Sequence, residues 1–186
     1  SAPLAKAIVD GALMYRKLVP NAISNLFETR GIKSRTVVAA VSGRAVIVKK
    51  LTMTRLSAAD AQPAVYWEAE QHVPYDVNDV SLDFEIVGAA PNDPKQMQVL
   101  LVAAKKDMVS SFADLVREAG LTPAVVDVDS FAAQNALEAN YDFAPEEVVA
   151  ILNVGAEMTN INIIQAGVPY FTKDLQVGGT TFVEAA

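Results

Sequence analysis

The stretch of this 186-residue chain richest in chemical possibilities is Ile151-Leu152-Asn153-Val154-Gly155-Ala156-Glu157-Met158-Thr159-Asn160-Ile161-Asn162. An apolar run ends in a polar residue, passes through a glycine and resumes behind a threonine, which is the pattern of a β-hairpin. Such a hairpin can offer consecutive backbone N–H groups and a hydroxyl to a phosphate, because glycine lets the backbone approach closely. An amide at the strand end, here Asn153, could hold a metal through water. The same residues are also ordinary turn chemistry. Gly178-Gly179 follows a later apolar run and opens the next helix. It could bring helix N-terminal amides to a phosphate, or serve only as a tight strand-to-helix turn.

Other chemistries are excluded by composition. With no cysteine there is no disulfide framework, no thiolate nucleophile and no Cys-based zinc or iron–sulfur site. The single histidine, His72, rules out HExxH-type metal pairs and argues against a histidine-dependent triad. No GxxxxGK[ST] string and no GxGxxG after a strand occurs, so P-loop and Rossmann mechanisms are out. No metal site is expected. The acidic residues Glu68, Glu70, Asp76, Asp79, Asp83 and Glu85 read mainly as solvated surface charge.

Hydrophobic residues make up 52% of the chain and charged residues 20%, which is a globular composition and not a disordered one. The 15 Lys and Arg against 22 Asp and Glu give a net charge of −7. That offers no broad attraction for nucleic acid or anionic lipid. No window approaches the roughly 18 apolar residues that a spanning helix requires, and the start lacks the pattern of a signal peptide. The chain opens without methionine and closes on what reads as the beginning of a helix, so it reads as an internal fragment.

The elements that must position these residues follow from periodicity. Residues 15–30 carry Leu18, Ala22, Ile23, Leu26 and Phe27 at helical spacing, with Pro20 pointing to a start near Val19 and Gly31 just past the end. Residues 36–41 and 45–51 are β-branched runs around Ser42-Gly43-Arg44 and read as adjacent antiparallel strands. Ser57 with Asp60 resembles a capping box for a helix that places Val65, Tyr66, Ala69 and Val73 on one side. Pro63 offers an alternative start. Residues 81–87 alternate as a strand, residues 97–104 form a buried-type strand, and 89–94 turn between them. Residues 43–105 are thus a strand-helix-strand-strand α+β unit. Asp107 is expected to cap a helix carrying Met108, Phe112, Leu115, Val116 and Ala119 up to Gly120. A strand over 124–128 leads to a helix over 130–140, capped by Asp129 or Ser130. Three strands, 148–154, 159–165 and 170–176, close the sequence as a meander. Trp67 is either core of the α+β unit, the usual place for a lone tryptophan, or a groove residue.

Several strings carry a further signal: Ile8-Val9-Asp10-Gly11, Val41-Ser42-Gly43, Val46-Ile47-Val48-Lys49-Lys50, and most specifically Tyr66-Trp67-Glu68-Ala69-Glu70-Gln71-His72-Val73-Pro74-Tyr75-Asp76. They continue through Leu82-Asp83-Phe84, Val102-Ala103-Ala104, Val126-Asp127-Val128-Asp129-Ser130-Phe131-Ala132 and Gln134-Asn135-Ala136. With the order of the elements, this set resembles the PilM family of type IV pilus assembly proteins, relatives of FtsA and actin. It implies an α/β, partial actin-like (ribonuclease H-like) fold with an FtsA-type SHS2 subdomain. Residues 1–42 and 106–147 would belong to subdomain 1A, 43–105 to subdomain 1C, and 148–186 to the start of the second lobe.

The resemblance further implies a cytoplasmic scaffold, held peripherally at the inner membrane. It would bind the N-terminal tail of PilN in a groove between subdomains 1A and 1C and link it to platform and motor proteins. Self-association is a further implied contact. Trp67 and Glu70 are the partner-binding candidates. The alternatives are an actin-like ATPase and an FtsA-type cell-division adaptor. Family members bind ATP and Mg²⁺ with weak or no hydrolysis. Asn153, Gly155, Ala156, Glu157 and Thr159 would then form the second phosphate hairpin, with Gly178 and Gly179 beside it, and Gln134 would fall near the water-positioning place. The family's first phosphate string and its adenosine-binding glycines have no counterpart here, and Asn153 stands where many relatives carry aspartate, losing a unit charge towards Mg²⁺. Calorimetry is therefore expected to find no tight, Mg²⁺-dependent binding of ATP by this chain, and tight binding would refute that expectation.

Overall fold

The computed structural model describes residues 8–9, 12–13, 18–144 and 146–185. Two short antiparallel strands, β1 (Ile8–Val9) and β2 (Ala12–Leu13), precede helix α1 (Leu18–Thr29). Residues 15–17 of the expected first helix lie outside the described residues. Pro20 falls in the first turn of α1, where a missing N–H is tolerated. Gly31 takes φ 63° just past the helix, and Ile32 N–H closes the turn on Phe27 O. Val19 is buried and Ile23 and Phe27 are partly buried against the core, while Leu18 and Leu26 are exposed. Of the expected face, Ile23 and Phe27 turn inward and Leu18 and Leu26 do not.

Strand β3 (Thr36–Val41) does not pair with β4 (Val46–Thr54), contrary to the hairpin reading of Ser42-Gly43-Arg44. β3 runs parallel to β7 (Thr122–Val128), whereas β4 lies antiparallel to β6 (Asp93–Lys105) in another sheet. The turn bends at Gly43 (φ 98°), and Asp174 Oδ2 accepts from Gly43 N–H at 2.7 Å. The chain is thereby handed from one sheet to the next. Turn chemistry is local; which strands pair is decided by the faces they bury.

Helix α2 (Ala58–His72) starts at the predicted cap: Ser57 Oγ accepts from Asp60 N–H and donates to Asp60 Oδ2. Pro63 sits inside the helix and does not begin it. Ala61, Val65, Ala69 and Val73, each four apart, are buried on the sheet of β4, β6 and β5 (Val80–Ala90). Tyr66, expected on the buried side, is exposed one position off this stripe, and Trp67 is 62% exposed, so it is not core. A single 3-10 turn, Val77–Asp79, leads into β5. The sheet order β4-β6-β5 makes β6 central. Met97, Val99, Leu101 and Ala103 of β6 face α2, while Leu100 and Ala104 are buried on the reverse side. A central strand covered on both faces explains why this segment reads as an unbroken apolar run.

Helix α3 (Lys106–Glu118) buries Ala113, Leu115 and Val116 against α1, β3 and β7. Its cap position is Lys105, and Asp107 falls in the first turn, bonding only the next N–H. Helix α4 (Asp129–Glu138) likewise begins one residue earlier than expected, with Val128 at the cap and no capping side chain. Strands β8 (Val148–Val154), β9 (Thr159–Gln165) and β10 (Val168–Leu175) form the predicted antiparallel meander, followed by the short helix α5 (Gly179–Glu184).

Candidate functional site

The hairpin between β8 and β9 is locked against the start of α5. Gly155 N–H donates to Met158 O at 2.8 Å, closing the turn. Gly179 N–H then donates to Gly155 O at 2.9 Å, and Thr180 N–H to Ala156 O at 2.8 Å. Thr159 Oγ1 donates to Val177 O at 2.6 Å. The glycines are steric necessities: a Cβ on Gly155 would lie 2.8 Å from Met158 O, and one on Gly178 would lie 2.5 Å from Ala156 O. The structure therefore brings Asn153, Gly155, Ala156, Glu157, Thr159, Gly178 and Gly179 into one assembly, but it engages the Thr159 hydroxyl and the Gly179 amide internally.

What remains at the tip are the N–H groups of Ala156, Glu157 and Met158, which have no acceptor among the described residues. For the nucleotide and Mg²⁺ that the resemblance implies, this donor set fits the anion: three consecutive amides can cradle phosphate oxygens. It does not fit the cation. Asn153 is neutral, and its Nδ2 donates to Asn160 Oδ1 at 3.1 Å. Asn160 Nδ2 in turn donates to Asp174 Oδ1 at 2.7 Å, and Gly43 N–H donates to its Oδ2, so that carboxylate is held by amides. Among the described residues no group of three or more His, Asp or Glu side chains could hold a metal ion.

Gln134 does not face this tip. It is 6% exposed, and Nε2 donates to both Glu138 Oε1 and Gly167 O at 2.9 Å. Its Oε1 accepts from Asn162 Nδ2 at 3.2 Å. Gly167 lies in the β9–β10 turn, at the opposite end of β9 from Thr159. Asn162 itself is about 10 Å along the strand from Thr159 at the usual rise. With both ends of its amide bonded, Gln134 serves as a buried tie and not as a group that positions water. Asn162, 2% exposed, is the residue the sequence did not single out: Nδ2 also donates to Ser130 O, and Oδ1 accepts from Thr172 Oγ1.

A second feature is a groove of about 380 Å³ between the β5–β6 face and the β7–α4 junction. Leu100, Val102, Val126 and Phe131 supply apolar surface; Asp83, Glu85 and Asp127 supply the charge. Register places Asp83 opposite Val102 and Glu85 opposite Leu100, on the face of the sheet away from α2. Trp67 and Glu70 lie on α2, across the sheet, and are not part of this groove. His72 Nε2 sits 3.8 Å from Glu68, at the end of the same helix.

A chain of a PilM–PilN type IV pilus biogenesis complex superposes on all of this chain with a TM-score of 0.85 and 29% identity, and this chain spans 55% of its length. The cytoplasmic domain of EpsL, an inner-membrane component of the type II secretion system of Vibrio cholerae, shares the fold alone. It matches at TM-score 0.54 and 12% identity, over 84% of this chain and 56% of its own. MreB5 of Spiroplasma citri, solved with ADP, aligns more loosely, at TM-score 0.45 and 12% identity, over 95% of this chain and 36% of its own. The fold is the α/β, actin-like one that the sequence pointed to. The family model of type IV pilus assembly protein PilM matches residues 1–185, and with that match over nearly its whole length this chain belongs to the PilM family.

Proposed function

We propose that this chain acts in type IV pilus assembly as a docking body for the N-terminal tail of PilN, which it receives in the groove between the β5–β6 face and the β7–α4 junction. The observation that carries this reading is the groove itself: an apolar floor with a rim of three carboxylates, flanked by β5, an edge strand of its sheet among the described residues. An extended peptide can add to such an edge through backbone hydrogen bonds while its side chains enter the groove. The rim favours a tail that carries a basic residue beside apolar anchors. In this reading residues 43–105 form subdomain 1C, residues 1–42 and 106–147 belong to subdomain 1A, and residues 148–186 open the second lobe. Among the described residues no helix is long and apolar enough to cross a membrane. Attachment to the cytoplasmic face of the inner membrane then comes through the partner, and so does the link to platform and motor proteins.

Titration of a synthetic PilN tail into the full chain tests this. Binding is expected, with Phe131→Ala and Glu85→Lys each weakening it about tenfold, the latter more strongly at low salt. A tail that fails to bind, or that binds both variants as well as the native chain, would sink the proposal. The acceptor-free amides at Ala156, Glu157 and Met158 support a second reading, nucleotide binding, in which the tip holds phosphate and the cation contributes little.

A further inference from the structure

The face of α2 turned away from its sheet carries a cluster of side chains that neither the hairpin nor the groove uses. Pro63, Tyr66, Trp67 and Glu70 stand at i, i+3, i+4 and i+7, so they form one continuous patch, and all four are exposed. Tyr66 is 41% exposed, and Trp67, the single tryptophan of the chain, is 62% exposed. Apolar side chains scattered singly over a surface need no explanation, but two adjacent aromatic rings with a proline beside them are a patch. Tryptophan and tyrosine are also the residues that most often anchor protein interfaces, because each brings a large apolar body with a polar tip.

Charge selects the class of partner. α2 holds three carboxylates, Asp60, Glu68 and Glu70, and no lysine or arginine. Asp60 is engaged with Ser57 at the helix cap, and Glu68 lies 3.8 Å from His72. Glu70 has no hydrogen bond or ion pair among the described residues. It stands one turn from both rings, at i+4 from Tyr66 and i+3 from Trp67. An aromatic face beside an uncommitted carboxylate suits a guanidinium, whose plane stacks on the indole while its N–H fork reaches the carboxylate. The same carboxylates repel anionic lipid, which sets against a membrane-interface use of the tryptophan. We propose that the outward face of α2 docks a protein segment presenting an arginine, with the guanidinium lying on Trp67 and paired with Glu70. This face and the groove lie on opposite sides of the β4-β6-β5 sheet. With a peptide in the groove, as proposed above, one chain could hold two partners at once; the arginine docking itself does not depend on that reading.

The lone tryptophan is its own reporter. The probe is a short amidated peptide with two arginines among leucine and proline and no tryptophan, titrated into the full chain. It should change Trp67 emission saturably, and its citrulline counterpart, of the same shape without the charge, should bind about fivefold more weakly. Glu70→Gln should weaken the arginine peptide about threefold and remove much of its salt dependence. Trp67→Ala, at an exposed site that does not threaten folding, should abolish binding measured by calorimetry. The groove rim is acidic too, so an isotopically labelled chain locates the peptide: amide shifts should centre on residues 62–71 and spare Leu100 and Phe131. No response at millimolar peptide, equal affinity for the citrulline form, shifts centred on the groove, or a larger Trp67 response to phosphatidylglycerol vesicles than to the peptide would each overturn the proposal.

Discussion

Replacing Gly178 by alanine should lower the unfolding free energy by about 3 kcal/mol, the upper end for a forced steric insertion. The new Cβ would meet Ala156 O at 2.5 Å, Ala156 C at 2.6 Å and Glu157 C at 2.7 Å, all of them backbone atoms. That backbone cannot step aside freely, because Gly155 O and Ala156 O accept from the amides of Gly179 and Thr180. Gly178 has φ −143°, an extended conformation open to any residue, so the whole effect is steric. Gly179→Ala is the internal control. Its Cβ would make only an ordinary 3.7 Å contact with Gly155 O, and alanine favours the helix that starts there. Denaturant midpoints should therefore separate the two variants widely. Similar losses at both positions would show that the lock between hairpin and helix is not the source of the effect.

The buried amide network should respond almost as strongly. Asn162→Leu leaves Ser130 O, Gln134 Oε1 and the Thr172 hydroxyl without their partner in a buried site. The expected loss is about 3 kcal/mol, given the desolvation cost of each stranded group. Adding Gln134→Leu removes one of those stranded acceptors, so the double variant should be more stable than the sum of the single losses predicts, by about 1 kcal/mol. Strict additivity in equilibrium unfolding would refute a direct Asn162–Gln134 coupling. The network also fixes how α4 sits on β9, and α4 carries Phe131 into the groove proposed for the peptide. A loosened α4 should accordingly weaken peptide binding although every groove residue is intact.

These two sites illustrate how unevenly the sequence discloses the molecule. Gly155 and Gly178 were visible as punctuation, but the contact that makes Gly178 irreplaceable is with Ala156, 22 residues away, where sequence spacing carries no information. Gln134 stood out because of a family position; the structure gives it a structural occupation, since all its amide atoms are bonded. Asn162 did not stand out in a strand that also carries Thr159, Asn160 and Gln165, and it proved the centre of the network. Trp67 was legible as important by rarity, yet it lies on the solvent side of α2, because only the Ala61, Val65, Ala69 and Val73 stripe meets the sheet. A helix stripe one residue out of phase turns a core side chain into a surface one.

By itself the sequence determined the elements from α1 onward and their order, the capped start of α2, the turn glycines, the meander at the end, the absence of thiol and paired-histidine chemistry, and a family likeness that the comparisons then established. These are properties of neighbouring residues: periodicity, turn dihedrals and side-chain chemistry act within a few positions. The tertiary structure alone decided that β3 pairs with β7 across 86 residues instead of with β4 across a turn. It also decided that the carboxylates of β5 meet Phe131 in one groove, and that the Ser130 hydroxyl is buried without a partner. The reason is that pairing, burial and hydrogen-bond satisfaction are settled between segments distant in the chain, by whichever arrangement covers the apolar faces of all of them together.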